Sequence, residues 1–216
     1  MISPILANLF LHYAFDRWMQ EHHPGILFER YADDVICHCQ SKVQAQQLQA
    51  ALVSRFARCK LELHPEKTKI VYCKDSNRRG DYPVHRFDFL GYEFQPRKAK
   101  TRTGAYFTSF APAVSRKAAT RMRQTMHRWR LQLWTDKSLV DLARSVAPVV
   151  RGWLQYYGRF YRSALYRVLR HLDFYLMRWA RRKYLRLRTH WKRAVQWFAR
   201  VRQRSPTLFP HWAAFA

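Results

Sequence analysis

The chain has 216 residues, 48% hydrophobic and 16% aromatic, which is enough for one large or two small packed domains and excludes global disorder. Its formal net charge is +26 and uneven: residues 1–95 hold 12 Lys and Arg against 11 Asp and Glu, whereas residues 96–216 hold 28 against three. A surface of one sign calls for a polyanionic partner, and nucleic acid is the natural one. No apolar run approaches the ~20 residues of a membrane helix and no basic-then-apolar pattern opens the chain, so the expectation is a cytoplasmic protein resident on nucleic acid, with no membrane partner.

In chain order, Ser3-Pro4 followed by Ile5, Leu6, Leu9, Phe10, Tyr13 and Trp18 has helical spacing, and the helix should end before Pro24-Gly25. Residues 26–40 read as a strand–turn–strand. Ser41 caps a second helix whose apolar face includes Val43, Leu48, Leu52 and Phe56. Leu61 to His64 and Lys69 to Cys73 read as extended, Asp75 to Asp81 as a polar turn, Phe87 to Phe94 as a hairpin around Gly91, and Ala105 to Phe110 as a strand. Composition shifts near Pro96, and from Ser115 onward the pattern is helical. One stripe is Ala118, Met122, Met126, Trp129 and Leu133. A second is Leu139, Leu142, Val146, Val149, Trp153 and Tyr157, with Pro148 expected to restart or kink it. A third is Leu165, Val168, Leu169, Leu172, Leu176, Trp179 and Leu187. These stripes are bundle core, and the intervening Arg151, Arg178, Arg181, Arg182, Arg186 and Arg188 are candidate RNA phosphate contacts. Tyr156, Tyr161 and Tyr184 are candidates for stacking on unpaired bases. The tail after Gln203 is expected to be partly mobile.

Chemistry concentrates at Asp33-Asp34, between Ile26-Leu27-Phe28 and Val35-Ile36-Cys37. Adjacent carboxylates repel unless a cation neutralises them. A hard ion such as Mg²⁺ takes carboxylate oxygens together with substrate phosphates, and two such ions clamp a phosphoryl transfer. The plainer alternative is a hairpin turn, where Asp is common. Cys37, Cys39, Cys59 and Cys73 form no CxxC pair, and they read as reduced, mostly buried thiols rather than zinc ligands.

Arg30-Tyr31-Ala32-Asp33-Asp34 resembles the YxDD box of reverse transcriptases, in the YADD form of group II intron-encoded proteins. Ser3-Pro4-Ile5-Leu6-Ala7-Asn8 resembles the end of the preceding box, without its opening Gln-Gly. Leu61-x-Leu-x-Pro-Glu-Lys67-Thr68 resembles the following box, and Phe89-Leu90-Gly91-Tyr92 the primer grip. Val149 to Tyr157 resembles the maturase, or X, domain signature. The implied architecture is the α+β palm portion of a right-hand polymerase over residues 1–95, followed by an all-α thumb and maturase region over 96–216.

The resemblance implies roles residue by residue. Asp33 would be the main Mg²⁺ ligand and catalytic carboxylate, and Asp34 a second or outer one. Tyr31 would pack against the primer-side nucleotide, and Ser3, Pro4 and Asn8 would lie along the templating base and incoming dNTP. Lys67 would sit near the leaving pyrophosphate, with Lys69 as a rival. Phe89, Leu90 and Gly91 would grip the primer. The implied partners are intron RNA, an RNA template with a DNA primer, and dNTP, in a cytoplasmic ribonucleoprotein. The family's third carboxylate lies in an earlier box, and Asp16 is a poor substitute. The chain alone is therefore expected to polymerise poorly, as a shortened frame or as one half of an enzyme whose separate N-terminal half supplies the rest. The alternative is an RNA-binding splicing factor without polymerase activity.

Overall fold

The computed structural model describes residues 3–78, 80 and 82–215. They form helices with two small antiparallel sheets and divide into two compact units. The first unit runs to Tyr72 and takes back Tyr82–Val84; the second holds the stretch from Cys73 to Asp81 and everything from His85 onward.

In the first unit, α1 (Ser3–Leu11) continues through a π-helical segment (His12–Arg17) into α2 (Trp18–His22). A π segment misaligns backbone carbonyls with their usual donors. Here the Arg55 guanidinium serves two of them, with Nε 3.0 Å from the Ala14 oxygen and one Nη 3.1 Å from that of Tyr13. Arg55 lies in α3 (Lys42–Arg58), which is capped by the Ser41 hydroxyl accepting from the Gln44 amide. Between them, β1 (Leu27–Tyr31) pairs with β2 (Asp34–His38), register Tyr31 to Asp34 and Leu27 to His38. Phe15, Met19, Ile26 and Leu48 form the core, with Phe28, Val35, Cys37, Leu52 and Phe56 against it. Val43, expected on the apolar face of α3, is 61% exposed, and Leu48 is the buried residue of that helix.

The strand expected over Lys69–Cys73 and the extended piece Leu61–His64 join no ladder among the described residues. A strand needs a partner, and residues 61–73 lie as irregular chain, with the Tyr72 amide donating to the Val84 oxygen at 2.8 Å. The polar turn is pinned within the second unit. The Ser76 amide and hydroxyl meet the Thr108 oxygen at 3.0 and 3.2 Å, and the Thr108 amide donates back to that hydroxyl at 2.7 Å. Asp81 lies outside the described residues.

The second unit opens with a three-stranded sheet, β3 (Phe87–Phe89), β4 (Tyr92–Lys100) and β5 (Tyr106–Val114), in that order. The composition shift at Pro96 falls inside β4, opposite Phe110 and beyond the end of short β3, where an edge tolerates a missing donor. Ser115 caps α4 (Arg116–Arg128), accepting from the Ala118 amide. The helices α5 (Leu139–Tyr157), α6 (Arg162–Lys183), α7 (Leu185–Arg188), α8 (Trp191–Arg204) and α9 (Pro210–Ala214) follow. Their core is Met122, Met126, Leu142, Val146, Val150, Leu165, Leu169, Leu172, Leu176 and Trp179. Two expectations need correction. Pro148 does not restart α5: it sits on the exposed face, where water can satisfy the carbonyl it leaves without a donor, and Val150 rather than Val149 is the buried residue. The tail beyond Gln203 folds back instead of trailing: Phe209 and Trp212 are fully buried, and the His211 and Trp212 ring nitrogens each lie 2.8 Å from one oxygen of Asp173.

Candidate functional site

The Asp33-Asp34 hairpin is shaped by Arg30. Alternation along β1 turns Phe28 and Arg30 toward the helical side, leaving Leu27, Glu29 and Tyr31 exposed. The Arg30 guanidinium donates Nε to Asp16 Oδ1 at 2.7 Å and one Nη to Asp16 Oδ2 at 2.6 Å. Its other Nη donates to Asn8 Oδ1 at 3.0 Å and to the Ala32 carbonyl at 2.9 Å. Arg30 and Asp16 are only 12% and 16% exposed, so this fork is well shielded from water. It holds the Asp16 carboxyl below the ordinary carboxylate value, burial opposing and His12 assisting, and the same fork raises Arg30. One side chain thus ties α1 and the π segment to the turn. Asp16 is committed to this arginine.

With Tyr31 paired to Asp34, the turn contains Ala32 and Asp33. Ala32 has φ 54°, the left-handed region that costs a residue with a Cβ about 1–2 kcal/mol. The Arg30 contact to its carbonyl offsets that strain. Asp33 and Asp34 are exposed, and among the described residues neither carboxylate has a hydrogen-bond or ion-pair partner. A pair of uncompensated carboxylates suits part of a Mg²⁺ shell. Among the described residues no three His, Cys, Asp or Glu gather into a metal site, so the pair is a partial ligand set.

Of the other expected site residues in this unit, Ser3 and Pro4 open α1, exposed, and Tyr31 is 64% exposed. The Asn8 side chain faces Arg30. Lys67 stands in an exposed turn, partnerless among the described residues. The cysteines are free and half-buried rather than mostly buried. Burial, with Cys39 and Glu29 nearby, pushes the Cys37 thiol up to about 12, so it is an inert packing group.

Phe89, Leu90 and Gly91 lie in the second unit. Leu90 and Gly91 have φ 49° and 79°, and two successive positive φ values make the two-residue turn that joins β3 to β4. The Leu90 oxygen accepts from the Tyr156 hydroxyl at 2.8 Å and the Gly91 oxygen from the Ser115 amide at 2.9 Å. Tyr156 is therefore occupied with the turn, Tyr161 lies under the Arg97 guanidinium at 5.2 Å, and Tyr184 packs on Trp179 and Trp197.

The candidate phosphate contacts divide by environment. Arg151, Arg182, Arg186 and Arg188 are exposed, with side chains unpartnered among the described residues. Arg178 is exposed over Phe174, 5.7 Å from its ring centre. Arg181 differs: it donates to the Arg188 carbonyl at 2.8 Å, lies 5.5 Å from the Trp191 ring, and its Nε is buried. Arg167 and Arg170, absent from the sequence-based set, lie at three- and four-residue steps from Phe174, Arg178 and Arg182 on the open face of α6. The signal was available: they complete the face opposite Leu165, Val168, Leu169, Leu172 and Leu176.

Residues 1–94 match the family described as reverse transcriptase (RNA-dependent DNA polymerase), and residues 119–197 match that described as group II intron, maturase-specific domain. A polymerase segment followed by a maturase segment defines an intron-encoded protein whose partners are RNA and other nucleic acid. The chain belongs to the group II intron reverse transcriptase/maturase family. No curated protein matches it.

Proposed function

We propose that this protein copies RNA into DNA from a primer, using Mg²⁺ held in part by Asp33 and Asp34 on a right-hand polymerase palm, and that its basic helices hold intron RNA for splicing. The observation that carries the reading is the free, exposed Asp33-Asp34 pair on a turn fixed by Arg30. Bound Mg²⁺ would acidify the primer 3′-hydroxyl and neutralise the transferring phosphate. Tyr31 offers an exposed ring to the primer-side nucleotide. Lys67 offers a cation for the departing pyrophosphate of the dNTP, and the Leu90–Gly91 turn supports the primer backbone. The third metal ligand comes from outside the described residues, a separate N-terminal half being one source.

A second reading, an RNA-binding maturase that does not polymerise, is favoured by the incomplete ligand set. Primer extension on an RNA template with Mg²⁺, run beside Asp33→Asn and beside RNA binding at low salt, separates the two. Extension abolished by the substitution supports polymerisation, and extension that survives it removes Asp33 from the role. Binding without extension supports the second reading.

A further inference from the structure

The maturase-like signature ends on Tyr156 and Tyr157, and both side chains meet the β3–β4 hairpin, with the Tyr156 ring still 47% exposed. Tyr156 donates its hydroxyl to the Leu90 oxygen at 2.8 Å while its own carbonyl accepts the Tyr92 hydroxyl, so the end of α5 and the β3–β4 turn are bonded in both directions. The Tyr92 ring lies 5.3 Å from each of Tyr156 and Tyr157 and 5.6 Å from Phe160. Tyr157 closes the remaining side. A Cβ at Gly91 would stand 2.6 Å from its hydroxyl, so the phenol fills the space over the turn and would have to shift to admit one. Burial raises both Tyr92 and Tyr157 above the ordinary phenol value, and the Tyr92 hydroxyl is the one that donates, to the Tyr156 carbonyl. With the Gly91 oxygen taken by the Ser115 amide at the head of α4, both carbonyls of the turn are bound from the helical region.

We infer that Tyr156 and Tyr157 are positioning residues for the Leu90–Gly91 turn: the end of α5 holds the turn's backbone in its left-handed conformation, and so sets how it meets the primer. The role rests on the reading of this turn as a primer contact. It also links two surfaces, because Arg151, a candidate RNA contact, lies five residues before Tyr156 on the same helix. A turn with two positive φ values, one at a leucine, relaxes readily unless its carbonyls are held.

The test compares the full chain with Tyr156→Phe, which keeps the ring and removes one donor. Hydrogen exchange of residues 87–94 is followed by mass spectrometry, and binding of an RNA template annealed to a DNA primer is measured beside binding of an RNA hairpin. The expected result is exchange about fivefold faster at 87–94, the weight of one hydrogen bond, with residues 142–150 unchanged. Primer–template affinity falls by a similar factor and hairpin affinity stays constant. Gly91→Ala loosens the same segment, and adding Tyr157→Phe restores part of the protection by removing the clashing hydroxyl. Unchanged exchange in Tyr156→Phe overturns the clamp. Faster exchange with unchanged primer–template affinity overturns the positioning role. If the unaltered chain fails to bind the primer–template at all, the polymerase reading fails, while the exchange result still decides the clamp.

Discussion

Arg30 donates from both edges of its guanidinium to Asp16, Asn8 and the Ala32 carbonyl, a geometry that a lysine ammonium cannot reproduce from one point. Arg30→Lys should therefore lower stability in urea by about 1.5–3 kcal/mol although the charge is kept. Asp16→Asn should cost about the same near neutrality, since it weakens a charge-assisted pair. The pH dependence separates the two partners. Asp16 ionises more readily folded than unfolded, so its contribution is complete above the ordinary value of 3.8 and is lost as pH falls through the depressed folded value. The gap between wild type and Asp16→Asn should close in that acid window, and a gap that persists there would show that the contact is not ionic. At Ala32, φ 54° favours glycine, so Ala32→Gly should raise the urea midpoint, worth about 1 kcal/mol, with an unchanged slope.

At the scale of elements, the helices were more legible than the irregular chain. Ser41 and Ser115 are caps in the sequence and in the fold, and the buried positions of α6 follow the 3.6-residue stripe from Leu165 to Trp179. The hairpin at Asp33-Asp34 was legible because apolar runs flank it, and the one at Gly91 because a turn with two positive φ values needs a glycine. What failed needed a partner that local pattern does not supply. Lys69–Cys73 has strand-like residues without a ladder, and the segment after Gln203 reads as a tail carrying Arg204, Pro206 and Pro210, although Phe209, Trp212 and Phe215 dock it on the helices. Arg30's role was hidden for the same reason: its acceptors lie 14 and 22 residues away. The docked tail makes a direct prediction. Trp212 is fully buried and donates Nε1–H to Asp173, so Trp212→Ala should cost about 3–5 kcal/mol in thermal unfolding, and Trp212→Phe less. Pro148 predicts the opposite sign. It breaks a helical hydrogen bond on an exposed face, and Pro148→Ala should stabilise the chain by about 1–3 kcal/mol.

For the molecule as a whole, the decisive quantity is where the charge is free. Residues 96–216 carry 28 Lys and Arg against Asp136, Asp141 and Asp173, and these few acids have partners of their own: Lys137 beside Asp136, the Ser138 cap on Asp141, and His211 with Trp212 on Asp173. Most of the positive charge is thus left for phosphate, and counterion release makes its contribution readable as a salt slope. Arg167, Arg170, Arg178 and Arg182 share the open face of α6, so replacing all four by alanine should reduce the slope of log affinity against log salt by about 3, at about 0.7–0.9 for each phosphate no longer neutralised. Because these side chains are exposed, thermal stability should change little. Arg181→Ala supplies the contrast. Its guanidinium is engaged with the Arg188 carbonyl and Trp191, so its removal should lower stability and leave the slope nearly unchanged. Fluorescence anisotropy with a labelled RNA hairpin across a salt series, read beside melting curves for both variants, decides the matter. A slope untouched by the fourfold replacement would move the phosphate-binding face off α6, whereas a slope that falls with Arg181→Ala would mean this arginine leaves its intramolecular partners to reach RNA.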